Sequence, residues 1–331
     1  MSTIKEEQIR PESIFNHYLE LARIDTINFF DQSEKKEINC PGCNSEKITR
    51  SFTKYNFNYQ ECKNCQTLYV SPRPLKKYFD DYYIDSPSTE YWATTFYKVT
   101  EASRREKLWK PKAKKVLDIL SSNKNSNSPR AIIDIGGGYG TFVEEFKELD
   151  DSYQVLVIEP SKHLSKILQT KGFNVITKVI EEVEKFDIPN SENAFVSFEL
   201  FEHLHDPRYF LKKIFELMKP GEKLIFTTLS SEGIDIKLLG ENSKSVSPPH
   251  HLNFFNPYSI KLLTKEIGYI ETEVFTPGEL DMDILTKNTK YIQNNYLKTL
   301  LENLDDSEKN YIQNILKKYG YSSHMWTICT K

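Results

Sequence analysis

The chain has 331 residues, 44 Lys plus Arg against 47 Asp plus Glu, and 38% hydrophobic residues. That length fits one large domain or two ordinary ones, and a formal charge of −3 spread along the sequence gives no positive field for capturing nucleic acid or an anionic membrane. The longest apolar stretches, such as Ala131 to Ile135 and Val155 to Ile158, fall far short of the roughly 20 residues that span a bilayer. The charged segment Met1 to Glu12 lacks the apolar run of a secretory signal. These features lead us to expect a cytoplasmic protein with no membrane partner, and they speak against a strongly basic nucleic-acid binder.

Residues 1–35 read as a helical segment. Pro11 can occupy a first helical turn, and Ile14, Phe15, Tyr18, Leu21 and Ala22 recur at helical spacing up to Phe29 and Phe30. Residues 36–71 then carry two C-x2-C pairs, Cys40 with Cys43 and Cys62 with Cys65, separated by 18 residues. Each pair can present two thiolates to one side, and two such knuckles joined by a hairpin close a tetrahedron around Zn²⁺. Four protein ligands leave no open position for a substrate, so the zinc is expected to be structural. Between the pairs, Ile48 to Tyr59 has the β-branched and aromatic content of ribbon strands. Cys329 reads as a small buried hydrophobe.

Ser71-Pro72-Arg73-Pro74 breaks the chain, and residues 72–128 read as a helical cap and linker. Its aromatics (Tyr78, Phe79, Tyr82, Tyr83, Tyr91, Trp92, Phe96, Tyr97) either pack a helical layer or line a pocket. The polar run Ser121 to Pro129 marks the main boundary. From Arg130 short apolar strands alternate with helices, the pattern of a mostly parallel sheet covered on both faces. The expected strands are Ala131 to Ile135, Gln154 to Glu159, Gly172 to Thr177, Ala194 to Phe198, Lys223 to Leu229, Tyr269 to Phe275 and Met325 to Cys329.

A glycine loop, Asp134-Ile135-Gly136-Gly137-Gly138-Tyr139-Gly140, lies between the first strand and the first helix. There glycines permit a tight turn and close approach of a ligand to the backbone. A dinucleotide fingerprint starting at Gly136 would need Gly where Thr141 stands, which argues against a nicotinamide or flavin site. Glu159 ends the second strand, where a carboxylate can accept both hydroxyls of a ribose.

On these residues the span 129–331 resembles the class I S-adenosylmethionine (SAM) dependent methyltransferases. Asp134 to Gly140 is similar to their first motif, Val157 to Pro160 to their acidic second motif, and Phe198 to Pro207 to their fourth. Lys219 to Glu222 with Leu224 to Thr228, and His250 to Pro257, also match family segments. The resemblance implies a Rossmann-like α/β fold with a seven-stranded methyltransferase sheet in the order 3-2-1-4-5-7-6, with helices inserted at Asp283 to Tyr319. It implies that SAM lies on Asp134, Gly136, Gly137 and Gly138, that Glu159 holds the ribose, and that Ile180 is near the adenine. The order of zinc ribbon, aromatic cap and core further resembles bacterial methyltransferases of surface-polysaccharide and nucleotide-sugar biosynthesis. That resemblance implies a sugar or nucleotide-sugar acceptor. Two other readings stay open: methylation of an RNA or protein docked by the ribbon, and a non-catalytic SAM-binding scaffold.

Glu199, Glu202 and His203 stand at i, i+3 and i+4, a spacing that puts them on one helical face. This E-x-x-E-H pattern is similar to one that holds a divalent ion in ubiquinone O-methyltransferases and in small-RNA 3′-terminal 2′-O-methyltransferases, with His251 at the position of a later ligand. The residues leave three readings open: a second divalent ion on Glu199, Glu202, His203 and His251, a base or substrate-orienting His203, and a purely structural role. Because the SAM sulfonium is already activated, the protein must mainly align the acceptor and, where needed, remove its proton. His203, His250 and His251 are the candidate catalytic residues.

Overall fold

A computed structural model describes residues 4–121, 130–186 and 192–331. From residue 122 onward, the expected linker lies outside the described residues. Seven strands build the central sheet: β1 (Arg130–Ile135), β2 (Gln154–Ile158), β3 (Asn174–Ile176), β4 (Glu192–Ser197), β5 (Lys223–Leu229), β6 (Glu271–Phe275) and β7 (His324–Thr330). Their spatial order is β3-β2-β1-β4-β5-β7-β6. The first five run parallel, and β7 is antiparallel to both β5 and β6. This is the Rossmann-like seven-stranded order that the resemblance implied.

The central strands are mainly apolar on both faces because helices cover both faces. Ile133 and Ile135 of β1 enter one core cluster with Phe195 and Phe226. Ile132, one residue out of phase, enters the opposite cluster with Val155, Val157 and Val196. Two strands are shorter than the sequence suggests. Gly172, at φ +88°, still belongs to the turn that ends the helix Lys162–Thr170, so β3 starts only at Asn174. Gly268, at φ +120°, turns Tyr269 inward to donate to the Leu211 carbonyl (3.0 Å), so β6 starts at Glu271. Between β6 and β7 the inserted helices Asp281–Lys287, Asn295–Asn303 and Asp306–Tyr319 pack a small core of their own around Met282, Leu285, Leu301 and Leu316.

At the other end of the chain, the helix Glu12–Phe30 has Pro11 at its N-cap and buries Phe15, Tyr18, Ala22 and Phe30. The buried Asp25 accepts the Ser88 amide at 2.9 Å, capping the short helix Pro87–Tyr91. The ribbon hairpin is Ile48–Lys54 with Phe57–Cys62. Its turn residues Tyr55 and Asn56 both have positive φ (49° and 64°), the twist a tight hairpin requires. Leu68–Val70 forms the third strand. The fourth comes from far along the chain: Asn253–Phe254 pairs antiparallel with Leu68–Val70.

Arg73 locks that junction. It is fully buried and donates to the His205 carbonyl (2.6 Å), the Leu252 carbonyl (3.4 Å) and Asn253 Oδ1 (2.7 Å). The cap helices Lys76–Asp85, Tyr97–Arg104 and Lys110–Ser121 are interrupted by two π-helical turns, Trp92–Phe96 and Arg105–Trp109. Among the described residues, no helix is long and apolar enough to cross a membrane.

Candidate active site

The glycine loop turns sharply off β1. Gly136, Gly138 and Gly140 all have positive φ (76°, 56° and 78°). A Cβ on Gly137 would stand 2.4 Å from Val157 Cγ1, whereas one on Gly138 would meet nothing within 4 Å. Gly137 is therefore glycine for packing, and Gly138 opens onto free space where a ligand can reach the backbone. The buried Glu159 ties the loop to the end of β2. Its Oε2 accepts the Gly138 amide and its Oε1 the Ser161 amide, each at 2.9 Å. Ile180 sits on a 3₁₀ turn after β3, packed in the core cluster with Ile158.

Asp134 is buried beneath the loop. Burial, and next the Glu159 carboxylate, push its carboxyl up to about 7, with Lys112 opposing them. A carboxyl whose folded pKa is raised contributes stability that is fully present below its unfolded value near 4 and is lost as pH rises through about 7. Asp134→Asn should flatten the fall in stability between about pH 4 and 7, which urea titrations of both proteins at several pH values will measure. An equal slope in the two proteins would reject the assignment.

The cap roofs this loop. Tyr97 stacks on Tyr139 with ring centroids 4.0 Å apart and hydrogen-bonds the Thr141 hydroxyl, while the Tyr139 hydroxyl donates to the Ala93 carbonyl at 2.7 Å. The cap aromatics thus divide their work. Phe79 and Phe96 pack cores, and Tyr97 covers the glycine loop.

Past β4 the chain does not form the expected helical face. Only Phe201–His203 make a 3₁₀ turn, and Glu199 is held at φ +53°, a conformation that L-residues rarely adopt. The Glu199 side chain turns to Lys112 Nζ and His324 Nε2 (2.9 Å each) and accepts the Thr227 hydroxyl at 2.8 Å. Burial alone would raise its carboxyl, but Lys112 and His324 hold it well below the usual range. Glu199 is therefore removed from the ligand set that its spacing suggested. Lys112 and His324, which complete this network, lie 87 residues before and 125 residues after it, and no local motif marks them.

Glu202, His203 and His251 do converge, with one ligand atom from each within 4.8 Å of the others. Glu202 accepts the Thr228 hydroxyl at 2.9 Å, and burial, then Glu199, push its carboxyl up to about 8. His251 Nδ1 donates to the Ser245 carbonyl at 2.6 Å, leaving Nε2 as the acceptor nitrogen. The ring of His203 lies 4.8 Å from that of His251, and its Nδ1 is shielded from solvent without a partner. His250 is placed differently. Its ring is buried against the hydroxyl of Tyr82 (2.8 Å to Nδ1), which also contacts Ser88 at 2.9 Å. Burial lowers all three imidazoles, His203 well below its ordinary value, His250 to about 3 and His251 to about 4. They are neutral at pH 7, the form that accepts a proton or ligates a metal.

The four cysteines meet some distance away in sequence from this cluster. Cys40 and Cys65 sulfurs are 3.4 Å apart, those of Cys43 and Cys62 3.5 Å, and all four lie within 4.8 Å of one another. Zn–S bonds of about 2.3 Å put tetrahedral sulfurs roughly 3.8 Å apart, so this set fits a single tetrahedral ion. None of the four is in a disulfide.

A seven-stranded sheet of this order, with a glycine loop after β1 and an acidic residue after β2, is the class I SAM-dependent methyltransferase architecture. The chain belongs to the methyltransferase-domain family, whose model matches residues 102–273. A curated relative, the mitochondrial ubiquinone biosynthesis O-methyltransferase of Dictyostelium discoideum, is 24% identical over 113 residues, covering 30% of this chain and 35% of that protein. The match thus spans about a third of that relative's length. Among solved structures, a SAM-dependent methyltransferase of Thermotoga maritima, described as a possible histamine N-methyltransferase, is 15% identical with a TM-score of 0.47, covering 72% of this chain and 97% of that one. A plantazolicin methyltransferase in complex with a monoazolic desmethylPZN analog and S-adenosylhomocysteine is 12% identical with a TM-score of 0.48, covering 76% of this chain and 93% of that one.

Proposed function

We propose that the protein transfers the methyl group of SAM to a small-molecule acceptor, a sugar or nucleotide sugar, beside His203 and His251. The observation that carries this reading is the group of neutral, buried imidazoles beyond the C-terminal ends of β4 and β5, where open α/β sheets bind ligands. Aromatic residues of the N-terminal helix and the cap stand around it: Tyr18 lies 5.5 Å and Tyr82 5.2 Å from the ring of His250. SAM is read as lying on Gly136 and Gly138 with its ribose on Glu159 and its adenine towards Ile180. His203 or His251 takes the acceptor proton as the acceptor attacks the methyl carbon in line. S-adenosylhomocysteine leaves. Incubating the protein with radiolabelled SAM and a panel of sugars and nucleotide sugars, with mass spectrometry of the products, tests this. Methyl transfer to RNA or protein with none to the sugar panel would reverse the substrate assignment.

The ribose contact has its own test. Glu159→Ala removes a carboxylate that accepts two amides, and SAM affinity should fall by roughly 1–3 kcal/mol in calorimetric titration. Unchanged affinity would rule the contact out.

A second reading is favoured by the convergence of Glu202, His203 and His251, a two-histidine, one-carboxylate set suited to Mg²⁺, Mn²⁺, Fe²⁺ or Zn²⁺. Such an ion would polarise the acceptor hydroxyl. A chelator should then abolish turnover and added Mg²⁺ or Mn²⁺ restore it. Full activity in the chelator excludes the ion and leaves the histidines as bases. The four cysteines are read as holding a structural Zn²⁺, with no role in the transfer itself.

A further inference from the structure

The chain has eight arginines, and six of them are matched. Arg23 pairs with Glu20, Arg50 with Glu61, Arg105 with Glu144 and Glu145, Arg130 with Asp150 and Arg208 with Glu266. Arg73 is satisfied by three carbonyls and Asn253. Arg10 and Arg104 are the exceptions. Neither guanidinium has a hydrogen bond or an ion pair among the described residues, and the Nε of each is shielded from solvent without a partner. Leaving two partly desolvated cations unmatched is unfavourable unless something else compensates them.

The two are held side by side although 94 positions apart in the chain. The Ser103 hydroxyl donates to the Gln8 carbonyl at 2.5 Å, joining the segments that carry them. Both guanidiniums lie over one aromatic platform. The Arg10 guanidinium carbon is 5.4 Å from the centre of the Phe15 ring and that of Arg104 5.8 Å from Trp92, and Phe96 bridges the two rings at 5.9 and 4.1 Å. A guanidinium backed by an aromatic face keeps its edge nitrogens free for a bidentate acceptor.

This platform reaches the candidate active site through Tyr18. Tyr18, 4.8 Å from Trp92, is also 5.5 Å from His250. Arg104 lies two helical turns beyond Tyr97, the residue stacked over the glycine loop. The local fields agree with that placement. Burial, and next Arg10, lower the Arg104 guanidinium to about 10 while Glu199 and Tyr97 oppose them, and the charge of Arg10 is felt at His251. Glu199 is not the missing partner: its hydrogen bonds run to Lys112, His324 and Thr227 and none to Arg104.

We propose that Arg10 and Arg104 form an anion clamp beside the candidate active site, so that the methyl acceptor carries a phosphate, diphosphate or carboxylate bound by these two guanidiniums. The clamp rests on the methyl-transfer reading and narrows it: among sugars, the phosphorylated or nucleotide-linked ones are substrates and the neutral ones are not. The methionyl carboxylate of SAM offers the same chemistry from a second source, and the experiment separates the two.

Wild-type protein, Arg10→Gln with Arg104→Gln, and the charge-retaining Arg10→Lys with Arg104→Lys are each titrated calorimetrically with S-adenosylhomocysteine. The loaded proteins are then titrated with inorganic pyrophosphate. The clamp requires that loaded wild type bind pyrophosphate, that the Gln variant lose at least about tenfold in pyrophosphate affinity while holding S-adenosylhomocysteine within about twofold, and that the Lys variant recover part of the loss. Loaded wild type that ignores pyrophosphate, or a Gln variant that binds it as well as wild type does, overturns the clamp and leaves the methyl-transfer reading standing. A Gln variant that loses S-adenosylhomocysteine affinity instead assigns the arginines to the cofactor carboxylate and overturns the acceptor assignment. Wild type that takes up no S-adenosylhomocysteine overturns the methyl-transfer reading, and the clamp with it.

Discussion

His203→Ala is expected to lower kcat by about 10²–10⁴ while SAM affinity changes by less than about twofold. The expectation rests on position and on protonation state. His203 stands in the turn beyond β4, its ring 4.8 Å from His251 and its Nδ1 unpartnered, and burial keeps it neutral at working pH. On the reading proposed above, removing it deletes either a proton acceptor or a metal ligand, and the two are told apart by the response to a chelator. The glycine loop is untouched, so cofactor binding measured by calorimetry should hold. His250→Ala should act otherwise. It removes one of the two partners of the buried Tyr82 hydroxyl, the other being Ser88, and should appear first as a loss of about 1–3 kcal/mol in stability. Full turnover in the His203→Ala, His251→Ala double variant would reject both chemical roles.

The second large effect concerns the ribbon. Cys40→Ser with Cys62→Ser should abolish zinc binding and unfold the segment around it, because the free energy of a structural zinc, on the order of 10–16 kcal/mol, is folding free energy. The damage should not stay local. Leu68–Val70 pairs with Asn253–Phe254, and the Tyr59 hydroxyl donates to the His251 carbonyl at 2.7 Å. The loop that carries His251 therefore rests directly on the ribbon, and turnover should be lost along with the metal. Atomic absorption, thermal unfolding and the methyl-transfer assay on the same preparation check this. Wild-type zinc content in the variant would sink the assignment. Lost zinc with full turnover would uncouple the two sites.

Much of this arrangement was legible in the sequence, because local rules fix it. The alternation of apolar strands and helices, the glycines of Asp134 to Gly140 and the paired C-x2-C spacing each have a short-range physical cause, and the strand order came with the family resemblance. What escaped depends on contacts distant in sequence. The E-x-x-E-H spacing suggested one helical face, but Glu199 is diverted by Lys112 and His324 from opposite ends of the core. Asn253–Phe254 sits in a segment read only as a family motif, and a strand of two residues has no periodicity to betray it. Arg73, in a run read as a chain breaker, is the buried fastener of the ribbon. An unmatched arginine is likewise invisible until its surroundings are known.

The sharing of Asn253–Phe254 with the ribbon also constrains how the chain can be made. During synthesis the hairpin and Leu68–Val70 leave the ribosome first, and for more than 180 further residues the strand Leu68–Val70 lacks its outer neighbour. An open, apolar edge of this kind invites pairing with other chains. The nascent ribbon should therefore depend on early metal uptake or on chaperones, and truncations ending before residue 253 should aggregate where the full chain stays in solution.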